Sequence, residues 1–103
     1  MKAEKLLKRF SVVHLHNNKD WQVYLLKCAD GSLYCGVTKN LENRLSKHND
    51  GTASKYTRSR LPVQLVAVGK DFTKSKAFKL EYQIKKLPAG KKISALKNGT
   101  FEK

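Results

Sequence analysis

Two short apolar runs, Val23–Leu26 and Leu33–Val37, stand on either side of Asp30-Gly31. Both favour strands, and an Asp-Gly pair between such runs is the strongest local signal for a β-hairpin. Downstream the period changes. Asn40 is a candidate helix N-cap, Glu42 falls in the first turn where the helix dipole favours an acid, and Gly51 closes the segment. Between them Leu41, Leu45 and His48 recur at i, i+4 and i+7. Residues 52–60 show no apolar period and read as a loop, with three cations and four aliphatic hydroxyls in nine residues. Residues 62–68 predict a third strand, with Pro62 admissible at its start. Thr73 or Ser75 then opens a helix to about Lys86, its stripe formed by Ala77, Leu80, Ile84 and Leu87. Pro88-Ala89-Gly90 breaks the chain, and Ile93, Ala95 and Leu96 suggest a short last helix. The first 20 residues are the least patterned: Leu6, Leu7, Phe10 and Val13 make one side of a short amphipathic turn, and residues 17–20 read as a linker.

The hairpin carries Tyr24 and Tyr34, and its register decides what they can do together. With Asp30-Gly31 alone as the loop, the two phenols point to opposite sheet faces. With Ala29-Asp30-Gly31 as the loop and Gly31 left-handed in a bulge, Cys28 opposes Ser32, and Tyr24, Tyr34 and Gly36 share one face. We take the second register as the working expectation.

Charge narrows the partners. The chain has 103 residues, 22 Lys and Arg against 8 Asp and Glu, and a formal net charge of +14. One domain with an ordinary core is expected, and a polyphosphate backbone is the partner that so basic a chain fits best. The only cysteines, Cys28 and Cys35, cannot make a structural zinc site alone, and the three histidines are badly spaced to complete one. They are expected as reduced, half-buried thiols on facing strands. No continuous apolar run indicates secretion or a membrane span, so a cytoplasmic protein is expected.

Some side chains stand out for chemistry. Arg44 and His48 are four apart, one turn above each other on the same side of their helix. Glu81 falls on the apolar stripe between Leu80 and Ile84, where a carboxylate needs a partner or a metal. Its plain alternative is an i,i+4 pair with Lys85.

Together these residues resemble the GIY-YIG nuclease superfamily. Gln22-Val23-Tyr24, nine residues, then Tyr34-Cys35-Gly36 match its paired motif. Arg44 matches the helix arginine, His48 the His-or-Tyr position after it, and Glu81 the metal-binding glutamate. The text from Trp21 to about Leu96 looks most like the small, stand-alone bacterial branch, of which Lys55–Pro62 is typical. Gln22 departs from the first motif's glycine and Cys35 from the second motif's isoleucine, and neither change removes a reactive group. The resemblance implies an α+β fold, a small three-stranded antiparallel sheet flanked by helices in ββαβα-like order. It divides the chain into a basic N-terminal extension (1–20), the nuclease-type domain (21–97) and a short tail (98–103).

The resemblance further implies a metal-dependent endonuclease that hydrolyses phosphodiester bonds, with one divalent ion, Mg²⁺ or Mn²⁺, on Glu81. DNA is the expected substrate, with structure selectivity and a role in repair or recombination. Tyr24, Tyr34, Arg44, His48 and Glu81 form the expected catalytic set. Tyr24 is the candidate base or water-positioning group, and His48 a second candidate base. A phenol with an unperturbed pKa near ~10 would need nearby positive charge, which Arg44 supplies. Gly36 is expected to leave room for substrate or metal water, and Lys55, Arg58 and Arg60 to track the phosphate backbone, with Tyr56 free to stack or to hydrogen-bond a phosphate. The alternatives are a catalytically idle nucleic-acid-binding module, or a nuclease subunit that needs a protein scaffold.

Overall fold

Strand β1 (Trp21–Lys27) lies at the centre of a three-stranded antiparallel sheet, with β2 (Leu33–Thr38) on one side and β3 (Gln64–Phe72) on the other. The computed structural model describes residues 19–98, so the expected amphipathic turn and the end of the tail lie outside the described residues. Helices α1 (Leu41–Asn49) and α2 (Lys55–Arg58) separate β2 from β3, and α3 (Lys74–Lys85) and α4 (Ala89–Asn98) follow β3. This is the α+β architecture expected from the sequence.

The hairpin adopts the three-residue loop. Tyr24 pairs with Gly36 and Leu26 with Tyr34, while the Cys28 amide donates to the Ser32 carbonyl at 2.9 Å. The Gly31 amide closes the turn on the Cys28 carbonyl at 2.9 Å, and Gly31 has φ of +88°, the left-handed conformation that favours glycine. The Asp30 carboxylate secures the tip by accepting from the Ser32 amide at 3.0 Å and its hydroxyl at 2.6 Å.

Because β1 is covered on both faces, its apolar residues run on without alternating. Val23 and Leu25 point to one side, where they pack with Cys35, Ala67 and the Ala77, Leu80 and Ile84 stripe of α3, together with Leu96 of α4. Tyr24 and Leu26 point to the other, against Cys28 and Val63, with Leu41 and Leu45 of α1 packed outside them. Each fully buried leucine contributes about 1.5–3 kcal/mol.

Caps place the helices as the sequence suggested. Asn40 Oδ1 accepts from the Asn43 amide at 3.1 Å, and Thr73, the first of the two expected openers, accepts from the Lys76 amide at 3.2 Å. Three expectations need correction. Residues 55–58 form a helical turn rather than loop, capped by Ser54 Oγ on the Thr57 amide at 3.1 Å; one turn is too short to show a period. Strand β3 starts after Pro62 and continues to Phe72, with two register shifts against β1 that blur its alternation. Cys28 and Cys35 are fully buried, not half-buried, and lie in different core layers on opposite faces of the sheet.

Candidate active site

The shared face of the hairpin brings Tyr24 and Tyr34 together, their ring centroids 6.5 Å apart. Helix α1 adds His48, whose ring lies 5.7 Å from that of Tyr24 and 5.1 Å from that of Tyr34. The imidazole is buried at 1% exposure and bonded at both nitrogens: Nε2 to the Tyr24 hydroxyl and Nδ1 to Thr57 Oγ1, each at 2.9 Å. Burial pushes the Tyr24 phenol above its ordinary range, and the nearby Tyr34, Cys35 and Glu81 reinforce that against the opposing Arg44. A phenol that keeps its proton must donate it, so Nε2 accepts. Burial, and then the Arg44 charge, push His48 below its ordinary range and keep the ring neutral. Neutral His48 therefore carries its hydrogen on Nδ1 and donates to Thr57, whose own hydroxyl reaches the Ser54 carbonyl at 3.4 Å. Every member of the chain Tyr24–His48–Thr57–Ser54 is satisfied.

With 1% exposure and its hydroxyl committed to His48, Tyr24 is enclosed. His48 is equally enclosed. Tyr34 is the phenol that is only half-buried, and it lines an open cleft of about 290 Å³ with Leu33, Cys35, Tyr56, Lys85 and Lys92. Gly36 lies against the Tyr24 ring. A methyl group there would collide with the Tyr24 phenol, so the space left by the missing side chain is filled by that ring.

Glu81 approaches from α3, on the other side of the sheet. Its carboxylate is 18% exposed and pairs with Lys85 Nζ at 3.2 Å, and Lys85 in turn lies 6.0 Å from the Tyr34 ring centroid. The i,i+4 pair weighed as the plain alternative is therefore present, and it sits at the cleft. Among the described residues no three His, Cys, Asp or Glu side chains cluster as a metal cage. The donor set is one accessible carboxylate, which suits a hard cation that keeps most of its waters.

The basic segment divides. Lys55 and Arg58 stand exposed on α2. Arg60 does not: its Nε donates to Asp30 at 3.0 Å, one terminal nitrogen donates to the Tyr56 carbonyl at 2.9 Å, and the guanidinium carbon lies 3.8 Å from the Tyr56 ring centroid. Tyr56 is also stacked on Tyr34, with centroids 5.9 Å apart. Arg60 is thus a strut from the hairpin tip to α2, and Tyr56 is engaged rather than free to stack on a base.

The GIY-YIG catalytic-domain family model matches residues 20–93. The chain belongs to the GIY-YIG family. A "UPF0213 protein" of Staphylococcus saprophyticus is 48% identical over 77 residues, covering 75% of this chain and 94% of that protein, so the relative is itself a single small domain. Another, from Nitratidesulfovibrio vulgaris, is 46% identical over 76 residues, 74% of this chain and 69% of the relative. The solution NMR structure of the protein EF2693 from E. faecalis superimposes with a TM-score of 0.56 at 42% identity, covering 84% of this chain and 93% of that one. Family membership places this chain in an endonuclease superfamily whose substrates are nucleic acids. No helix among the described residues is long and apolar enough to cross a membrane.

Within this GIY-YIG domain, sequence reasoning missed Thr57, which is fully buried and anchors His48. The signal was faint: a serine three residues before a threonine, in a segment taken for a loop. Lys92 was missed as well, because its importance rests on where α4 packs.

Proposed function

We propose that this protein is a metal-dependent endonuclease that hydrolyses phosphodiester bonds in DNA, acting in the cytoplasm. The observation that supports this most is the contact of Tyr24, Tyr34 and His48 from two strands and a helix, with Tyr34 lining a cleft whose Lys85 pairs with Glu81. Residues packed only for stability would not leave one phenol of the cluster facing a cleft.

In this reading Tyr34 receives or orients the proton of the attacking water, since it alone of the two phenols reaches the cleft. Tyr24 and His48 hold the ring of Tyr34 from behind. Arg44, half-buried one turn before His48, presents its fork of donors to the scissile phosphate. Glu81 would hold the divalent ion, Mg²⁺ or Mn²⁺. When bound there, such an ion supplies charge to the leaving oxygen and a non-bridging phosphoryl oxygen. Lys55 and Arg58 follow the flanking backbone without reading sequence.

A nicking assay on plasmid and branched DNA, with and without Mn²⁺ or Mg²⁺, tests this. Glu81→Ala and Tyr34→Phe are expected to abolish cutting and Tyr24→Phe to reduce it. Equal activity in all four proteins would reject the site. The Glu81–Lys85 pair favours one second reading, a nucleic-acid-binding module whose carboxylate is taken up by Lys85. That reading predicts DNA binding with no cutting under any metal, unless a protein scaffold restores it. Repair and recombination are the settings in which a structure-selective activity of this kind would act.

A further inference from the structure

The cleft beside Tyr34 holds more positive charge than the ion pair on Glu81 uses. Lys92, from α4, lines it opposite the hairpin, and its ammonium is fixed in place: it donates to the Ile84 carbonyl at 2.9 Å and the Lys85 carbonyl at 3.1 Å, at the end of α3. Two neutral acceptors leave its charge uncancelled and its third hydrogen uncommitted. Among the described residues no carboxylate lies within ion-pairing distance of it. Lys85, the second cation of the cleft, is shared with Glu81 at 3.2 Å and is 53% exposed, so it is free to turn between the carboxylate and the cleft. Burial, and then the Glu81 charge, push the Cys35 thiol up, and both ammonium groups draw it down from the cleft. Their fields therefore overlap at one place.

The remaining walls suit a particular ligand. Tyr34 and Tyr56 line it with phenol side chains, and Leu33 and Cys35 bring apolar surface that accepts no charge. A volume of about 290 Å³ lies at the lower limit of small-molecule sites, right for a phosphate group with its sugar. We propose that Lys85 and Lys92 form, beside the Tyr56 ring, a second phosphate subsite that holds a nucleic-acid phosphate other than the scissile one. This rests on the nuclease reading of the same cleft but concerns binding alone. It assigns Lys92 a substrate contact in addition to its hold on the end of α3. It also gives Lys85 two alternating partners, Glu81 in the free protein and phosphate in the complex.

The test is a ¹H–¹⁵N shift titration of the full chain in EDTA. Its three arms are inorganic phosphate, a 5′-phosphorylated short oligonucleotide, and the same oligonucleotide without the 5′ phosphate. Inorganic phosphate is expected to perturb signals around Tyr34, Tyr56, Lys85 and Lys92, and the oligonucleotides these together with Lys55 and Arg58. Saturation at similar concentrations with both oligonucleotides assigns the site to an internal phosphodiester, whereas tighter binding of the phosphorylated one assigns it to a strand end. The Lys85→Gln/Lys92→Gln protein is expected to bind phosphate and oligonucleotide about tenfold or more weakly, the scale of one lost charge-assisted hydrogen bond. A control of equal charge loss at exposed positions, Lys79→Gln/Lys97→Gln, is expected to lose much less.

Equal losses in the two double variants overturn the subsite. So does a lowered melting temperature with phosphate binding intact, which leaves Lys92 as a helix cap only. Lys92→Arg retains charge and donors and is expected to preserve both stability and binding. Wild-type protein that shows the shifts yet cuts nothing with Mn²⁺ supports the subsite while rejecting the nuclease reading. Cutting at an unchanged KM in the Lys85→Gln/Lys92→Gln protein does the reverse.

Discussion

Replacing Gly36 with alanine tests the geometry of the tyrosine cluster more sharply than any loss of a functional group. An alanine Cβ would overlap the Tyr24 hydroxyl and stand 2.5 Å from Cζ of the same ring. The partner that must yield is a buried ring, held at the far end by its 2.9 Å bond to His48. Overpacking of this kind costs about 1–3 kcal/mol. Displacing the phenol also leaves its hydroxyl and His48 Nε2 buried and unpaired, which costs about 1–3 kcal/mol more. The expected loss is therefore about 2–6 kcal/mol, large against a domain stability on the order of 5–15 kcal/mol. Urea denaturation measures it, with an unchanged m value showing that the transition is still two-state. The decisive arm is the same substitution in a Tyr24→Leu background, where there is no phenol to strike. There Gly36→Ala is expected to cost under about 1 kcal/mol, because alanine in a strand otherwise restricts the unfolded chain more than glycine does. The coupling between the two positions should exceed about 1 kcal/mol. A Gly36→Ala protein as stable as wild type, or an identical cost in both backgrounds, would refute the account of why this position has no side chain.

Three other outcomes follow from the same arrangement. His48, held neutral in the fold below its ordinary pKa near ~6.5, takes up a proton more readily when unfolded, so stability is fully present above about pH 6.5 and declines as pH falls from there. His48→Gln is expected to flatten that decline in urea titrations from pH 8 to 5, and an unchanged slope would show that the imidazole titrates freely. Burial pushes the Cys35 thiol up to about 12 and Cys28 is equally enclosed, so a disulfide reagent at pH 8 should label neither in the folded protein and both in denaturant. Rapid labelling of the native chain would contradict the packing of both sheet faces. Lys85→Gln removes the cation that competes for Glu81, so isothermal titration should show Mn²⁺ binding tighter by about two- to fivefold, the worth of an exposed pair. Unchanged or weaker binding would place the metal elsewhere.

The hairpin was legible from Asp30-Gly31, and its register was a choice between two loops that Gly31 accepts equally. The three-residue loop, with Gly31 left-handed, is what puts Tyr24, Tyr34 and Gly36 on one face. Asn40 and Thr73 were legible as caps for a similar reason, since a short polar side chain before an apolar period has one clear use. The roles within the cluster were not. Sequence offers a register in which Tyr24 and Tyr34 share a face, yet does not show that β1 is the central strand and β2 the edge, which is what buries one phenol and leaves the other at a cleft. Nor does it show that Arg60 is already bound to Asp30, 30 positions away. The fate of a basic side chain is set by which acid the fold brings to it, and no local pattern carries that.

The hairpin also limits how such a protein can change over time. Neighbours along β2 face opposite core layers, with Tyr34 toward His48 and Cys35 toward α3. Inserting or deleting a single residue between the turn and Tyr34 would send each to the other face, and a deletion would present a thiol where the phenol belongs. Substitutions in this interval can be absorbed one at a time, but a change in length by one cannot. Descendants of this chain are bound to preserve the number of residues between the two tyrosines, whatever becomes of the exposed letters among them.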